Sequence, residues 1–347
     1  MKVLISSDGF HAHYHIRMSW ARVFKSLGAE VSVWDIHSKP VFDAFDEVEP
    51  DIFIGQTYHI TESLIKCIKE RPEIKVMMRA SDWGDKQEGV DLKKYPILVA
   101  TDEEKRLIEK LKKETGKPDF VHNHYPQNWI DVTHNKWKDI GVNPVSMLHA
   151  ADTFILNRKA PVLDYLRCDL GFIGGYWEYK GRSLDKYIIP LCHPVGELNI
   201  KIFGSGWPVA QCLGKIPDEY MSSLFRSSTI APNISEPHSQ DFGYDIIERP
   251  YKVLYCGGFC ISDYVEAMAE VFDKEEIVFA KDPKNFKDLI YHYKENPEKR
   301  DKHIKQGQKT ICEKHTYIDR VSDMLNLLGI EEGPEACRKL KEHVIGK

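Results

Sequence analysis

Short apolar runs alternate with amphipathic stretches along almost the whole chain, and this alternation constrains the fold more than any other feature. In the first half, runs such as "KVLIS", "EVSVWD", "DIFIG" and "IKVMM" are separated by helix-like segments such as "HYHIRMSWARVFKSLG". Apolar runs of this length separated by amphipathic helices are typical of a parallel sheet covered on both faces. The first half therefore predicts an α/β domain.

The same pattern restarts after residue 160, with the strand-like runs "CDLGFIGG", "NIKIFGSG", "TIAPNIS" and "FCIS". A chain of 347 residues is longer than one core usually supports. We therefore expect two tandem Rossmann-like domains, 1–155 and 156–326, followed by a helical tail, 327–347. Ligands of such sheets bind at the carboxyl ends of the strands, so two facing domains predict an interdomain cleft.

Composition narrows the class of protein. The net charge is −5, without the basic excess typical of nonspecific nucleic-acid binding. The eight cysteines show no C-x-x-C pair, which favours reduced thiols over a disulfide framework. The apolar run in "MKVLISSDG" is shorter than a signal peptide requires, and no run in the sequence approaches the roughly 20 apolar residues of a membrane span. We expect a soluble cytoplasmic protein without a membrane partner.

The stretch "IIERPYKVLYCGGFCISD", residues 246–263, combines helix signals with positive charge. Pro250 suits the first helical position and Gly257-Gly258 suit the end, which predicts a helix of about two turns. Arg249 and Lys252 stand at its beginning, where free N–H groups also favour anions. The segment predicts a phosphate site; the alternative is that both cations pair with surface carboxylates.

A second stretch, "GFIGGYWEYKGRSLDKYI", has a strand, a double glycine and then Lys180 and Arg182 before a helix. Glycines let a backbone approach a ligand closely, and the carboxyl end of a strand is where nucleotides bind. The stretch is neither a P-loop nor a G-x-G-x-x-G fingerprint. Together, the two segments predict an anion site in the second domain.

These motifs carry a resemblance to a known family. The strand followed by Gly-Gly-x4-Lys-Gly-Arg, then "IKIFGSGW", "ERPYKVLYCGGF" and "YHYKENPEKRDKHIKQGQKTICEKHTYIDRV" resemble the C-terminal half of CgeB-like glycosyltransferases with the GT-B fold. The resemblance covers roughly residues 168–326. It implies a nucleotide-diphosphate sugar, a UDP-sugar in our interpretation, bound as donor substrate and no permanently bound cofactor.

The resemblance also implies donor-binding residues. The diphosphate would contact four cations, and the ribose hydroxyls would bind to a carboxylate. The base would lie near two glycines and a tryptophan, for which a packing role in the core is the alternative. The four cations are Lys180, Arg182, Arg249 and Lys252, and the carboxylate is Glu248. The residues near the base are Gly204, Gly206 and Trp207.

The sequence departs from the pattern of many retaining enzymes of this fold. Glu236 and Glu248 are eleven residues apart internally rather than seven, and Lys252 stands where the second glutamate is expected. The anomeric outcome therefore stays open. The chain also lacks D-x-D, so we expect no metal and predict that cations neutralise the leaving group.

The segment "SSDGFHAHYH" supplies the catalytic candidates Asp8, His11 and His13, which follow the first strand. Three roles are open: general base toward an acceptor hydroxyl, contact with the acceptor without catalysis, or metal binding helped by His122 and His124. Further candidates for the acceptor site or a hinge are Asp82, Asp85, His149 and Asp152.

The sequence therefore predicts a glycosyltransferase that uses a UDP-sugar and a hydroxyl acceptor. The acceptor is a small molecule, a glycan, a protein or a hydroxymethylated DNA base. Two alternatives belong to other classes: a metal-dependent hydrolase that uses the N-terminal histidines, and a noncatalytic nucleotide-sugar binder.

Overall fold

The computed structural model describes residues 1–9, 12–80 and 101–346, without the side chains of residues 12, 13, 101 and 102. The strands are β1 Lys2–Ser7, β2 Glu30–Asp35, β3 Ile52–Gln56, β4 Lys75–Arg79, β5 Phe120–Asn123, β6 Asn143–Ser146, β7 Cys168–Ile173, β8 Ile200–Phe203, β9 Ser228–Ile230, β10 Ile261–Asp263 and β11 Val278–Ala280. The helices are α1 Ala12–Ser26, α2 Val41–Val48, α3 Glu62–Lys69, α4 Thr101–Thr115, α5 Gln127–Thr133, α6 Glu178–Tyr187, α7 Asp218–Ser227, α8 Pro237–Phe242, α9 Arg249–Tyr255, α10 Glu266–Val271, α11 Pro283–Glu295, α12 Pro297–Lys314, α13 Tyr317–Leu327 and α14 Gly333–Gly346.

The chain forms two compact units, one of residues 1–148 with 317–347 and one of residues 149–316. The first unit contains a six-stranded parallel sheet in the order β2-β1-β3-β4-β5-β6. The central strands β1 and β3 are almost wholly buried and expose little apart from Lys2, whereas the edge strands β2 and β6 are only partly buried. Burial on both faces explains why these strands read as continuous apolar runs.

The second unit is also built on parallel strands. One sheet has the order β8-β7-β9, and β10 pairs with β11. A bridge between Asn233 and Ser262 connects the two pieces. An apolar core centred on Leu170, Phe172 and Ile202 packs under α6 and α11. The two units confirm the prediction of an α/β chain with two Rossmann-like halves.

The C-terminal residues are placed differently from the predicted boundaries 156–326 and 327–347. Helix α13 packs against α1 of the first unit and against α14. Its buried side chains include Ile318, Val321 and Met324, and the Nε of Arg320 donates to the Leu148 carbonyl at 2.8 Å. An apolar helix face packs wherever a complementary surface exists, and sequence periodicity does not tell which unit offers it.

Among the described residues, no helix is both long enough and apolar enough to cross a membrane.

Candidate functional site

The loop after β7 is fixed against the loop after β8. The Gly174 amide donates to the Phe203 carbonyl and the Tyr176 amide to the Ser205 carbonyl, each at 2.8 Å. Gly204 contacts this loop so closely that a β-carbon there would lie 2.0 Å from the Gly174 oxygen. The carboxyl ends of β7 and β8 therefore form one rigid surface.

Gly204, Gly206 and Trp207, predicted to lie near the base, all pack against this loop. A β-carbon on Gly206 would lie 2.2 Å from the Tyr176 oxygen. The indole N–H of Trp207 donates to the Gly174 carbonyl at 2.7 Å, and its ring lies edge-on to Phe172 at 5.4 Å. The structure gives these residues a packing role, and their contact with a base stays a prediction.

Arg249 is the first residue of α9, which ends at Tyr255 before Gly257, as the helix signals predict. Its guanidinium lies 4.4 Å from the Phe172 ring centroid and donates from Nη2 to the Ile173 carbonyl at 3.0 Å. The Nη1 atom is buried and finds no hydrogen-bond partner among the described residues. Burial lowers the pKa of Arg249 to about 10, so the group stays charged at neutral pH.

Lys180, in the first turn of α6, is only 7% exposed. Its ammonium lies 5.0 Å from the ring centroid of Trp177, and among the described residues it makes no ion pair. Burial, followed by the charge of Arg249, lowers the pKa of Lys180 to about 7. Glu236 opposes this shift without cancelling it.

The two cations meet at Gly174. A β-carbon on Gly174 would lie 2.9 Å from Nη2 of Arg249 and 3.7 Å from Nζ of Lys180. Two desolvated positive charges near one point destabilise a protein unless an anion compensates them. The arrangement is therefore suited to bind a polyanion such as a diphosphate, beside a glycine that has no side chain to block its approach.

The two other predicted phosphate ligands are engaged elsewhere. Lys252 forms an ion pair with Glu248, with Nζ 2.5 Å from Oε2. For this cation, the structure therefore shows the alternative, which was pairing with a carboxylate. Glu248 lies directly before α9, so the carboxylate that pairs with Lys252 belongs to the same segment. Arg182 is exposed and lies over Tyr179 at 5.7 Å.

Asp8 follows β1 in the first unit, where it accepts a hydrogen bond from Nη1 of Arg17 at 2.8 Å and another from the Tyr58 hydroxyl. Burial alone would raise the pKa of Asp8, but these hydrogen bonds and the Arg17 charge hold it well below its usual range. A general base is most effective with a pKa near the working pH. The environment of Asp8 thus favours a fixed, ionised carboxylate.

The other N-terminal candidates are less well defined. His11, Asp82 and Asp85 lie outside the described residues, and the side chain of His13 is likewise not described. Asp152 is buried and accepts from the Phe154 amide at 2.9 Å, as in a turn.

His122 is a buried neighbour of Trp20 rather than an exposed ligand. Burial, followed by the charges of Arg79 and His124, lowers its pKa to about 3. Among the described residues, no group of three or more His, Cys, Asp or Glu side chains is arranged to hold a metal ion.

A hydrogen-bonded chain crosses the carboxyl edge of the first sheet, and the sequence analysis does not predict it. Beyond the Tyr58–Asp8 hydrogen bond, the Gln56 amide nitrogen donates to the Tyr58 hydroxyl, and Nη1 of Arg79 donates to the Gln56 side-chain carbonyl at 3.1 Å. Nη2 of Arg79 lies 3.2 Å from Nδ1 of His124. The detectable signal is positional, because all of these residues end a strand or directly follow one.

The two parallel α/β units define the class of fold: this chain has the GT-B fold, with two Rossmann-like domains. Residues 188–326 match the sequence model of a family described as "Glycosyl transferase-like". The match covers most of the second unit, including Glu248, Arg249 and Lys252. A search of the curated proteins found no match.

Solved structures of low sequence identity share this fold. T4 phage β-glucosyltransferase, solved with its substrate UDP-glucose and described as a DNA-modifying enzyme, is 14% identical with a TM-score of 0.57 and 99% of each chain covered. Sucrose-phosphate synthase from Thermosynechococcus elongatus is 10% identical, with a TM-score of 0.62, covering 94% of this chain and 97% of that one. Anabaena HepE, solved with UDP, is 9% identical, with a TM-score of 0.60, covering 95% and 100%.

Proposed function

We propose that this chain is a glycosyltransferase that takes a sugar from a nucleoside diphosphate, most simply a UDP-sugar, and transfers it to a hydroxyl group. The observation that carries the proposal is the pair of buried cations, Lys180 and Arg249, which meet at the Gly174 backbone. The family match over residues 188–326 and the UDP complexes of proteins with this fold support it.

In this proposal the cations stabilise the departing diphosphate. The acceptor oxygen bonds to the anomeric carbon and gives its proton to solvent, while the bond between that carbon and the diphosphate oxygen breaks and negative charge builds up on the diphosphate oxygen. Lys180 and Arg249 are already desolvated and fixed, so they stabilise this charge without reorganising. The Nη1 atom of Arg249 is buried and has no partner in the part of the chain that the structure describes, so it can donate to a phosphate oxygen.

We further propose that the reaction needs no divalent metal, because side chains supply the positive charge. One structure of T4 phage β-glucosyltransferase contains UDP and Mn²⁺, so this point needs its own test. UDP-sugar turnover should persist at an unchanged rate in excess chelator. A loss of turnover that Mn²⁺ restores would contradict metal independence but leave the transferase assignment intact.

The carboxyl edge of the first sheet is the proposed acceptor site. Tyr58 is 40% exposed there, and Arg79 and His124 are half-buried, so part of this polar edge is accessible to a ligand. In this scheme Asp8 orients Tyr58 rather than accepting the acceptor proton. A hydroxymethylated DNA base is one acceptor to assay, because one protein with this fold is a DNA-modifying β-glucosyltransferase.

The deciding experiment is titration calorimetry with UDP and UDP-glucose. Wild type should bind both, and Lys180→Met and Arg249→Met should each weaken binding at least tenfold, as expected when a charge-assisted hydrogen bond is lost. Lys287→Met is the matched control, because Lys287 is an exposed lysine that also lies over an aromatic ring, that of Tyr291. Equal affinities for wild type and both site variants would reject the proposal.

Once the donor is known, the acceptor can be identified by assay. Once a donor binds, hydroxymethylcytosine DNA, glycans and small alcohols can be offered with it and the products read by mass spectrometry. Glycosylated product identifies the acceptor.

We place the protein in the cytoplasm, consistent with its cysteines, all eight of which are described and free of disulfides.

A further inference from the structure

Trp177 is a large apolar side chain left in solvent beside the cation pair. It is 48% exposed, although burying a tryptophan normally stabilises a fold. It also occupies the position directly before α6, where it makes no side-chain capping bond. Residues preferred at this position are Ser, Thr, Asp and Asn, so the helix does not benefit from the tryptophan.

The backbone that carries Trp177 is rigid. It is held by the hydrogen bonds from Gly174 and Tyr176 to the β8 loop, and the Trp177 carbonyl accepts from the Gly181 amide at 2.7 Å. The indole is therefore presented from a fixed support. The Lys180 ammonium lies 5.0 Å from its ring centroid, which places the ring next to the proposed diphosphate.

Gly175 and Ser205 adjoin the indole. A β-carbon on Gly175 would lie 3.8 Å from Cε3 of Trp177 and 3.7 Å from the hydroxyl of Ser205. Gly175 has no side chain, so the backbone between an exposed indole and an exposed hydroxyl is uncovered. A planar ring resting on the indole would reach a polar group at its edge.

We propose that Trp177, rather than Trp207, is the surface on which the nucleobase of the donor stacks. This inference rests on the proposed function, because it assigns a contact within the same donor site. Trp207 is held by Phe172 and by the Gly174 carbonyl, whereas Trp177 has half of its surface open. Stacking of a base on an aromatic side chain tolerates any base and contributes through the ring faces.

The test separates the base from the phosphates. Wild type, Trp177→Ala, Trp177→Phe and Arg249→Met are titrated with UDP, UDP-glucose and inorganic pyrophosphate. We expect Trp177→Ala to weaken UDP and UDP-glucose about tenfold and pyrophosphate less than twofold, with Trp177→Phe close to wild type. Arg249→Met should weaken all three ligands. Tyr165→Ala, which removes an exposed aromatic next to the amino end of β7, should weaken none.

Each contrary outcome has its own meaning. Equal losses for UDP and pyrophosphate in Trp177→Ala, no loss for any ligand, or a loss for UDP-glucose alone would overturn the stacking assignment while the donor site stands. Wild type that binds none of the three ligands would overturn the proposed function itself. Melting curves of each variant confirm that the variants are folded.

Discussion

The guanidinium of Arg249 and the ammonium of Lys180 converge on Gly174, although 69 residues separate them in the sequence. A β-carbon on Gly174 would lie within 4 Å of a nitrogen of each. The convergence depends on β7, whose end carries Gly174, and on the stacking of Arg249 on Phe172 of the same strand. The properties of the proposed donor site follow from this geometry.

The space at Gly174 is the first property to test. In Gly174→Ala the new methyl group would lie 2.9 Å from the Arg249 guanidinium and 3.1 Å from the Phe172 ring, so the guanidinium must move. We expect at least tenfold weaker pyrophosphate binding by calorimetry, the effect of losing one charge-assisted hydrogen bond. In Gly175→Ala, the matched control, the methyl makes ordinary contacts of 3.7 Å or more, and pyrophosphate affinity should stay within twofold.

The pH dependence of donor binding follows from Lys180. Burial and the Arg249 charge lower its pKa to about 7, so the ligand-free protein loses this positive charge as the pH rises above 7. An anion binds the protonated form, and UDP affinity should therefore fall by up to about tenfold per pH unit above pH 7. Calorimetry in buffers of different ionisation enthalpy should show proton uptake on binding.

Lys180→Arg is the control for this pH effect. Arginine keeps its charge throughout the range, whereas the ionisation of UDP itself acts equally on both proteins. The fall in affinity above pH 7 should be absent in the variant. An identical pH profile for wild type and Lys180→Arg would exclude Lys180 as its source.

The same lysine should reduce the stability of the ligand-free protein. Because the pKa of Lys180 lies below its usual value of 10.5, unfolding takes up protons and stability rises between pH 7 and 10.5. Lys180→Met should raise the free energy of unfolding by about 1–4 kcal/mol at pH 6, with a smaller gain at pH 9. Urea denaturation at both pH values measures the difference, and a destabilised variant would contradict the prediction.

The ion pair between Glu248 and Lys252 bears on ribose recognition. If Glu248 accepts from the ribose hydroxyls, wild type should bind UDP more tightly than 2′-deoxy-UDP, by about 10- to 150-fold for one hydrogen bond to a charged group. Glu248→Gln should reduce this preference. Lys252→Met should preserve it, because the carboxylate remains. If Glu248→Gln keeps the full preference for UDP over 2′-deoxy-UDP, as Lys252→Met does, Glu248 is not part of the ribose site.

Asp8 should matter for stability more than for proton transfer. Its partner Arg17 is almost fully buried, so Asp8→Asn should lower the free energy of unfolding by about 3 kcal/mol at pH 7. The hydrogen bonds that oppose the effect of burial hold the pKa of Asp8 below its usual range. This stabilisation is therefore complete above about pH 4 and is lost below it. The difference in the free energy of unfolding between wild type and Asp8→Asn should therefore become smaller below about pH 4.

Asp46→Asn is the matched control for Asp8→Asn. Asp46 also pairs with an arginine, Arg71 at 2.5 Å, but its side chain is 69% exposed. Exposed pairs contribute little, so we expect a change of less than about 1 kcal/mol. Similar losses in both variants would show that burial does not distinguish the two carboxylates.

The sequence predicts the architecture well because it depends on local patterns. Alternating apolar runs define the strands, and Pro250 and Gly257 bracket α9 near its observed limits. The same patterns led to Lys180 and Arg249, since both stand next to the end of a strand or the start of a helix. Whether both bind phosphate stays a prediction.

The partners of individual side chains are where sequence reasoning ends. Nothing in "ERPYKV" tells that Lys252 pairs with Glu248 while Arg249 turns toward Phe172. Likewise, the sequence does not distinguish the environments of Trp177 and Trp207. Trp177 is exposed, whereas Trp207 is partly buried against the core. These differences depend on long-range packing, which periodicity does not encode.

The return of α13 and α14 to the first unit has a consequence for synthesis on the ribosome. Residues 149–316 form a contiguous unit that can complete its fold while the last helices are still inside the exit tunnel. The first unit is synthesised first but completes its fold last, because α1 is covered only after α13 has left the ribosome. The usual order, in which N-terminal domains fold first, is thereby reversed, and nascent chains stalled before residue 317 should protect the second unit from protease before the first.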